Sequence, residues 1–215
     1  MEYKNLIGGA ITDKISVYNC DCIELLKQTP DNYYSLALVD PPYGLGDSVV
    51  NSGGRFKRYH NKNGNWDNAI PSDEYFKELF RVSKNQIIWG GNYFDLPKNK
   101  CFVIWDKQQP EDVSFAMCEY AWASFDSVAK IFKKRTQGQE DRFHPTQKPI
   151  YLYQFLLKHF AKQGDKILDT HLGSGSIAIA CHDYGYELTA CELDKEYYDK
   201  AIQRIKNHVS QLKLF

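Results

Sequence analysis

The amino-acid sequence predicts an α/β fold whose sheet is mostly parallel and flanked by helices. Short apolar runs that end in turn signals alternate with longer stretches whose apolar residues fall at helical spacing. The runs are Ser35–Val39, Gln86–Trp89, Cys101–Trp105, Lys166–Leu168 and Glu187–Cys191. Continuous apolar runs of this length suit strands buried on both faces. Between them, Ser72 is an N-cap, and Asp73 and Glu74 favour the first turn of a helix reaching about Val82. Pro149 suits the first turn of a helix through Phe155 and Phe160 that stops at Gly164. A third helix runs from Ser176 to Tyr184 and stops at Gly185. The last spans Asp194 to about Val209, with Tyr198, Ile202 and Ile205 on one face. Two stretches break the alternation. Residues 44–66 are rich in Gly, Asn and Ser and read as a long loop, and residues 126–143 are polar and basic without periodicity.

With 215 residues, 43% hydrophobic and 25% charged, the chain fits one globular domain, residues 1–215. Lys+Arg and Asp+Glu balance at 27 each, so overall charge announces no nucleic-acid partner and any basic surface is local. No apolar run approaches the ~20 residues that cross a bilayer, and Met1–Asn5 lacks a signal-peptide core. The expectation is a cytoplasmic protein without a membrane partner. Most of the six cysteines sit in apolar runs and read as buried free thiols. Cys20 and Cys22 have no second Cys/His pair at zinc-finger spacing, so no metal site is expected.

Chemistry concentrates at two strand ends. Ser35–Val39 runs directly into Asp40-Pro41-Pro42-Tyr43. Two prolines make a rigid extended turn and remove two backbone donors, leaving the Pro41 carbonyl outward. Asp40 then stands at a strand's carboxyl end, where open α/β sheets bind ligands. A carboxylate beside a fixed carbonyl forms a pair of acceptors suited to an NH2 group, and Tyr43 offers a flat face. By average residue usage the tetrapeptide arises by chance in on the order of one chain in a thousand.

The second is Lys166-Ile167-Leu168-Asp169, followed by Thr170-His171-Leu172-Gly173-Ser174-Gly175-Ser176 and an Ala/Ile-rich helix. Glycines let such a loop turn tightly and approach a ligand. Glu192 ends the next strand, where a carboxylate accepts from ribose hydroxyls. Gly173-x-Gly175-x-x-Ala178 with an acid seventeen residues past Gly175 also fits a dinucleotide fingerprint. Only forty residues follow Gly175, too few to complete a dinucleotide domain downstream.

Taken together, these segments resemble the amino-group DNA methyltransferases. Asp40-Pro41-Pro42-Tyr43 looks like their catalytic motif, and its place before the glycine loop resembles their circularly permuted arrangement. His144-Pro145-Thr146-Gln147-Lys148-Pro149 and Asp21-Cys22-Ile23-Glu24-Leu25-Leu26 match two further segments of that group. The resemblance implies a Rossmann-like fold, S-adenosylmethionine as cofactor, and methylation of a base flipped out of DNA. It implies that Asp40 and the Pro41 carbonyl hold the target amino group, Pro42 stiffens the turn and Tyr43 stacks on the base. Asp169, Gly173, Ser174, Gly175 and Ser176 then shape the methionine end of the cofactor site. Glu192 takes the ribose, Asp21 and Cys22 lie beside the adenine, and Asp40, Thr146 and Lys148 complete the contacts. An aspartate opening the motif is commoner among N6-adenine enzymes, which makes N4 of cytosine the alternative. Thr170-His171 stands where the family often has Pro-Phe, so the aromatic face there falls to His171 or elsewhere. Tyr18-Asn19-Cys20 also stands where a glycine is common.

DNA is the expected partner. Arg55, Lys57 and Arg58 lie in the 44–66 loop, interleaved with Phe56, Tyr59 and Trp66, which suits phosphate contact and base stacking. Lys133, Lys134 and Arg135 form a second basic group, on the 126–143 segment left for target recognition. So small a recognition segment implies a short or loose target, or a second subunit in a homodimer. From a different class, a non-catalytic DNA-binding remnant is opposed by the intact acidic and glycine positions. The setting stays open among restriction–modification, phage and orphan regulatory roles.

Overall fold

The structure, a computed structural model, describes residues 3–45, 69–110, 116–135 and 143–211. Arg55, Lys57 and Arg58, with most of the 44–66 loop, lie outside them, as do residues 136–142. In chain order the described elements are β1 (Ile7–Ala10), β2 (Ile15–Asn19), α1 (Cys22–Gln28), β3 (Leu36–Val39), α2 (Asp73–Val82), β4 (Gln86–Trp89), β5 (Phe102–Asp106), β6 (Cys118–Ala123), β7 (Lys130–Lys133), α3 (Ile150–Phe160), β8 (Lys166–Asp169), α4 (Ser176–Tyr184), β9 (Glu187–Glu192) and α5 (Lys195–Val209). No described helix is long and apolar enough to cross a membrane.

Among the described residues one sheet runs in the order β1-β2-β9-β8-β3-β4-β6-β5-β7. The stretch from β2 to β4 is parallel throughout. β1 is antiparallel at one edge, and β6 is antiparallel to both of its neighbours. The expected mostly parallel sheet is therefore present, with two strands reversed.

β3 is fully buried and apolar throughout, and β4 is fully buried with Gln86 as its one polar residue. Successive side chains go to opposite faces. Leu36 and Leu38 join a core under α3, α4 and α5, with Leu152, Leu156, Ile177 and Ile205. Ala37 and Val39 join a core under α1 and α2, with Leu25, Leu26, Tyr75 and Leu79. Burying each of the larger side chains contributes about 1.5–3 kcal/mol, so the alternation holds the strand in register.

Helix ends follow local chemistry. Ser72 caps α2 by accepting from the Tyr75 N–H, and Asp194 caps α5 through the N–H groups of Glu196 and Tyr197. α3 departs slightly from expectation. Pro149 is its N-cap, and the helix ends at Phe160 with Ala161 as C-cap, before Gly164.

Several elements escaped the apolar pattern. β1 contains two glycines, β6 carries Glu119, and α1 has only seven residues. The 126–143 segment, expected to lack periodicity, contains the edge strand β7, whose Lys130 and Lys133 suit an exposed edge. Of the six cysteines, Cys101, Cys181 and Cys191 are buried, whereas Cys118 is exposed; all six are free thiols.

The topology creates one particular crevice. β8 leads through α4 to β9 on one side, and β3 leads through α2 to β4 on the other, while β8 and β3 are neighbours. Strand order reverses between them, and the carboxyl ends of the strands open there to ligands. β3 precedes β8 in the chain although they pair in the sheet.

Candidate active site

At these carboxyl ends lies a cleft of about 360 Å³, within the range of small-molecule sites. Asp40 and Pro42 line it from the turn after β3; Thr170, His171, Leu172, Gly173 and Ser174 line it from the loop after β8. Glu192 comes from the end of β9, Asp21 and Cys22 from the start of α1, and Thr146 and Lys148 from the segment before α3. Folding thus gathers onto one wall acidic groups that are more than 150 residues apart in the chain.

Glu192 is held by the backbone. Its two oxygens accept the N–H groups of Gly173, at 2.8 Å, and Asp194, at 3.0 Å. Burial still raises its carboxyl above the usual range, against those two bonds. Each oxygen keeps a lone pair for a hydroxyl.

Asp21 serves two ends at once: it caps α1 by accepting the Ile23 N–H at 2.7 Å, and it lines the cleft. Beside it, burial and then the Asp21 charge push the Cys22 thiol up to about 12, which keeps it neutral.

Asp169 is only 2% exposed and lies behind the lining rather than on it. Its Oδ1 accepts the His171 N–H at 3.0 Å, and no ion pair reaches it among the described residues. Burial pushes its carboxyl up to about 8. A buried acid without a cation suits a ligand ammonium.

His171, at the position where the resemblance leaves the aromatic face open, does line the cleft. Its Nδ1 bonds the Thr170 hydroxyl at 2.9 Å, and its ring meets Tyr75 edge-on. Burial lowers it to about 4, so it is a neutral aromatic wall.

Gly175 and Ser176 are placed differently from the expected ligand contacts. At φ +76°, Gly175 leaves room for α5: an added Cβ would stand 3.1 Å from Ile205 Cδ1. The Ser176 hydroxyl faces Arg204 at 2.9 Å. Neither residue lines the cleft, because helix packing takes this side of the loop.

The proline turn is embedded in charge. Asp40 Oδ2 lies 2.5 Å from Lys148 Nζ, and Oδ1 accepts the Tyr43 hydroxyl at 2.6 Å. Lys148 also lies 3.2 Å from Glu119 Oε2, and Glu119 Oε1 meets Lys107 at 2.6 Å. Burial works against the charge of Lys148, but Asp40 and Glu119 outweigh it and hold the ammonium above its usual range. Burial likewise opposes ionisation of Glu119, yet Lys148 and Lys107 bring it down to about 2. Lys148, read as a cofactor contact, is thus also the cation on Asp40.

The Tyr43 ring stacks on Tyr93, at 5.1 Å between centroids and 15° between planes. It packs so closely over Gly90, at the end of β4, that a Cβ there would lie 2.2 Å from Cε1.

Sequence reasoning missed Glu119, Lys107 and Tyr93, together with Tyr153 and Tyr197 in the lining. For Glu119 a signal existed: an acid in the otherwise mostly uncharged run Cys118–Ala123. Lys133 ends β7, the Lys134 ammonium sits 3.8 Å over the Tyr151 ring, and Arg135 donates to the Gln108 carbonyl at 3.1 Å.

Known proteins resemble this chain over most of its length. A family model for N6 and N4 methyltransferases, described as DNA methylase, matches residues 87–203. The type II methyltransferase M2.LlaDCHI of Lactococcus lactis subsp. cremoris is 34% identical, over 95% of this chain and 96% of that protein. M.HpaI of Haemophilus parainfluenzae, also a type II methyltransferase, is 34% identical over 86% of this chain and 72% of its own length. Among solved structures, the M1.HpyAVI–SAM complex superposes with a TM-score of 0.59 at 19% identity, covering 88% of this chain and 99% of that one. The cytosine-N4-specific PvuII DNA methyltransferase gives a TM-score of 0.63 at 15% identity, covering 92% and 93%. At identities this low, these superpositions show a shared fold alone.

Proposed function

The chain belongs to the N6/N4 DNA methylase family, and from that premise we infer that it methylates N6 of adenine in DNA. It is an S-adenosylmethionine-dependent DNA methyltransferase. When bound, the cofactor supplies an electrophilic methyl group on a sulfonium whose departure leaves a neutral thioether. The cleft fits that group in chemistry: a backbone-held carboxylate for ribose hydroxyls, neutral aromatic walls and, just behind the lining, a buried acid with no ion pair among the described residues, suited to an ammonium.

The observation that carries the reading is Asp40, which stands at the end of β3 in the wall of that same cleft. Asp40 and the Pro41 carbonyl accept N–H groups from the target amino group and draw its lone pair out of conjugation with the ring. Pro42 keeps the turn rigid, so the two acceptors themselves stay fixed in position. Tyr43 gives a flipped base a surface that offsets part of the few kcal/mol lost in leaving the duplex. Glu192 and Asp169 hold opposite ends of the cofactor, Asp21 and Cys22 border its adenine, and Thr146 and Lys148 close the site between them. Arg55, Lys57, Arg58, Lys133, Lys134 and Arg135 contact DNA phosphates. The aspartate opening the motif supports adenine over cytosine, and the type II relatives support a restriction–modification setting in the cytoplasm.

The test is incubation with unmethylated DNA and S-adenosylmethionine, followed by nucleoside mass spectrometry. N6-methyladenine is expected. N4-methylcytosine would move the target to cytosine, and cofactor binding without either product would favour a non-catalytic remnant.

A further inference from the structure

Lys148 stands between two carboxylates but is fully engaged by only one. Its Nζ is 2.5 Å from Asp40 Oδ2 and 3.2 Å from Glu119 Oε2. Among the described residues, Glu119 Oε2 is a buried acceptor that receives no hydrogen bond. The Lys148 ammonium meets it as an ion pair longer than the one to Asp40, so a closer approach would strengthen this side. Asp40, by contrast, has a close donor on each oxygen, the Tyr43 hydroxyl and the Lys148 ammonium. Both donors compete with a target amino group, and an ammonium this close opposes the positive charge that the nitrogen acquires as it is methylated.

We propose that Glu119 is a positioning residue, the second seat for Lys148: as the base enters, Nζ passes from Asp40 Oδ2 to Glu119 Oε2 and leaves Asp40 to the amino group. This rests on the role of Asp40 given above. The lysine stem is flexible enough for a short swing, and its ammonium stays over the Trp89 ring, now 5.1 Å away. The formal charges of Lys107, Glu119, Lys148 and Asp40 sum to zero, so the handover moves charge within the group and adds none to the interior. The antiparallel insertion of β6 between β4 and β5 is what brings Glu119 to this place.

The test follows transfer of labelled methyl groups to unmethylated genomic DNA, with cofactor affinity measured separately by calorimetry. Glu119→Gln keeps the shape but removes the charge that receives the ammonium. It should lower kcat ~10-fold or more, with KM for DNA and cofactor affinity within ~2-fold, since only a step after binding is impaired. Glu119→Asp should restore part of the loss. Lys107→Gln has the opposite sign, because it frees Glu119 for Lys148, and kcat should rise. A merely structural ion network predicts a fall in both variants. A fall in Lys107→Gln, or an unchanged kcat in Glu119→Gln, overturns the proposal; should Glu119→Gln not fold, Lys107→Gln decides alone. Asp40→Ala separates the two ideas: turnover surviving there removes the role of Asp40 itself. An inactive Asp40→Ala beside a normal Glu119→Gln removes only the handover.

Discussion

Cofactor affinity should depend steeply on pH through Asp169, and its burial sets the size of the effect. In the free protein the carboxyl is raised to about 8, with burial as the cause and no ion pair to offset it among the described residues. Below that pH it is mainly protonated. The proposed complex needs the carboxylate, opposite the cofactor's ammonium, so binding must expel a proton. The sign follows: affinity falls as pH drops through the free-state pKa, and recovers as pH rises toward 8. With that pKa, the ionised fraction rises from about one in a hundred at pH 6 to about one in four at pH 7.5, a change in Kd on the order of 20-fold, or about 2 kcal/mol. His171, near 4, and Cys22, near 12, titrate outside this window. Glu192, also raised by burial, adds to the acid limb in the same direction. Isothermal titration calorimetry of S-adenosylmethionine at these two pH values, in buffers of different ionisation enthalpy, should show close to one proton released at pH 6. Asp169→Asn should flatten the dependence. A Kd that changes less than ~3-fold between these pH values, or an Asn variant that keeps the full slope, would refute the pairing of Asp169 with the ammonium.

Three further outcomes follow from the same geometry. Gly90→Ala places a Cβ 2.2 Å from the Tyr43 ring at a φ of +67°, so the ring must move; kcat should fall ~10-fold or more while cofactor titrations stay normal. Glu192→Gln exchanges one of two acceptors that hold the Gly173 and Asp194 N–H groups for a donor. It should weaken cofactor binding roughly tenfold, and an unaltered titration would remove Glu192 from the ribose site. Reversing Lys133, Lys134 and Arg135 to Glu should weaken DNA binding at moderate salt. If all three meet phosphates, the slope of log affinity against log salt should lose about 2.7; an unchanged slope would take the group out of the interface.

Where structure is specified by neighbours in the chain, the sequence by itself determined it. Apolar runs marked β3, β4 and β8, because strands buried on both faces are apolar through their middle, with Gln86, Lys166 and Asp169 only at the ends. Ser72 and Asp194 marked helix starts because a side-chain acceptor satisfies the first backbone donors. Asp40-Pro41-Pro42-Tyr43 and the glycine loop were legible for the same reason, since each is a rigid contiguous turn at a strand's end. Short or edge elements such as α1, β1 and β7 carry too few apolar residues for a period to stand out. Only the tertiary structure decided what lies far apart in the chain. Lys148 meets Asp40 across 108 positions, and Glu119 joins them because β6 enters between β4 and β5 in reverse. Gly175 looked like a point of ligand approach, but α5 packs against it, since a glycine permits either contact and the sequence does not say which surface arrives. Strand order and packing partners depend on which apolar faces can be buried together. That choice belongs to the whole chain at once, and no local pattern encodes it.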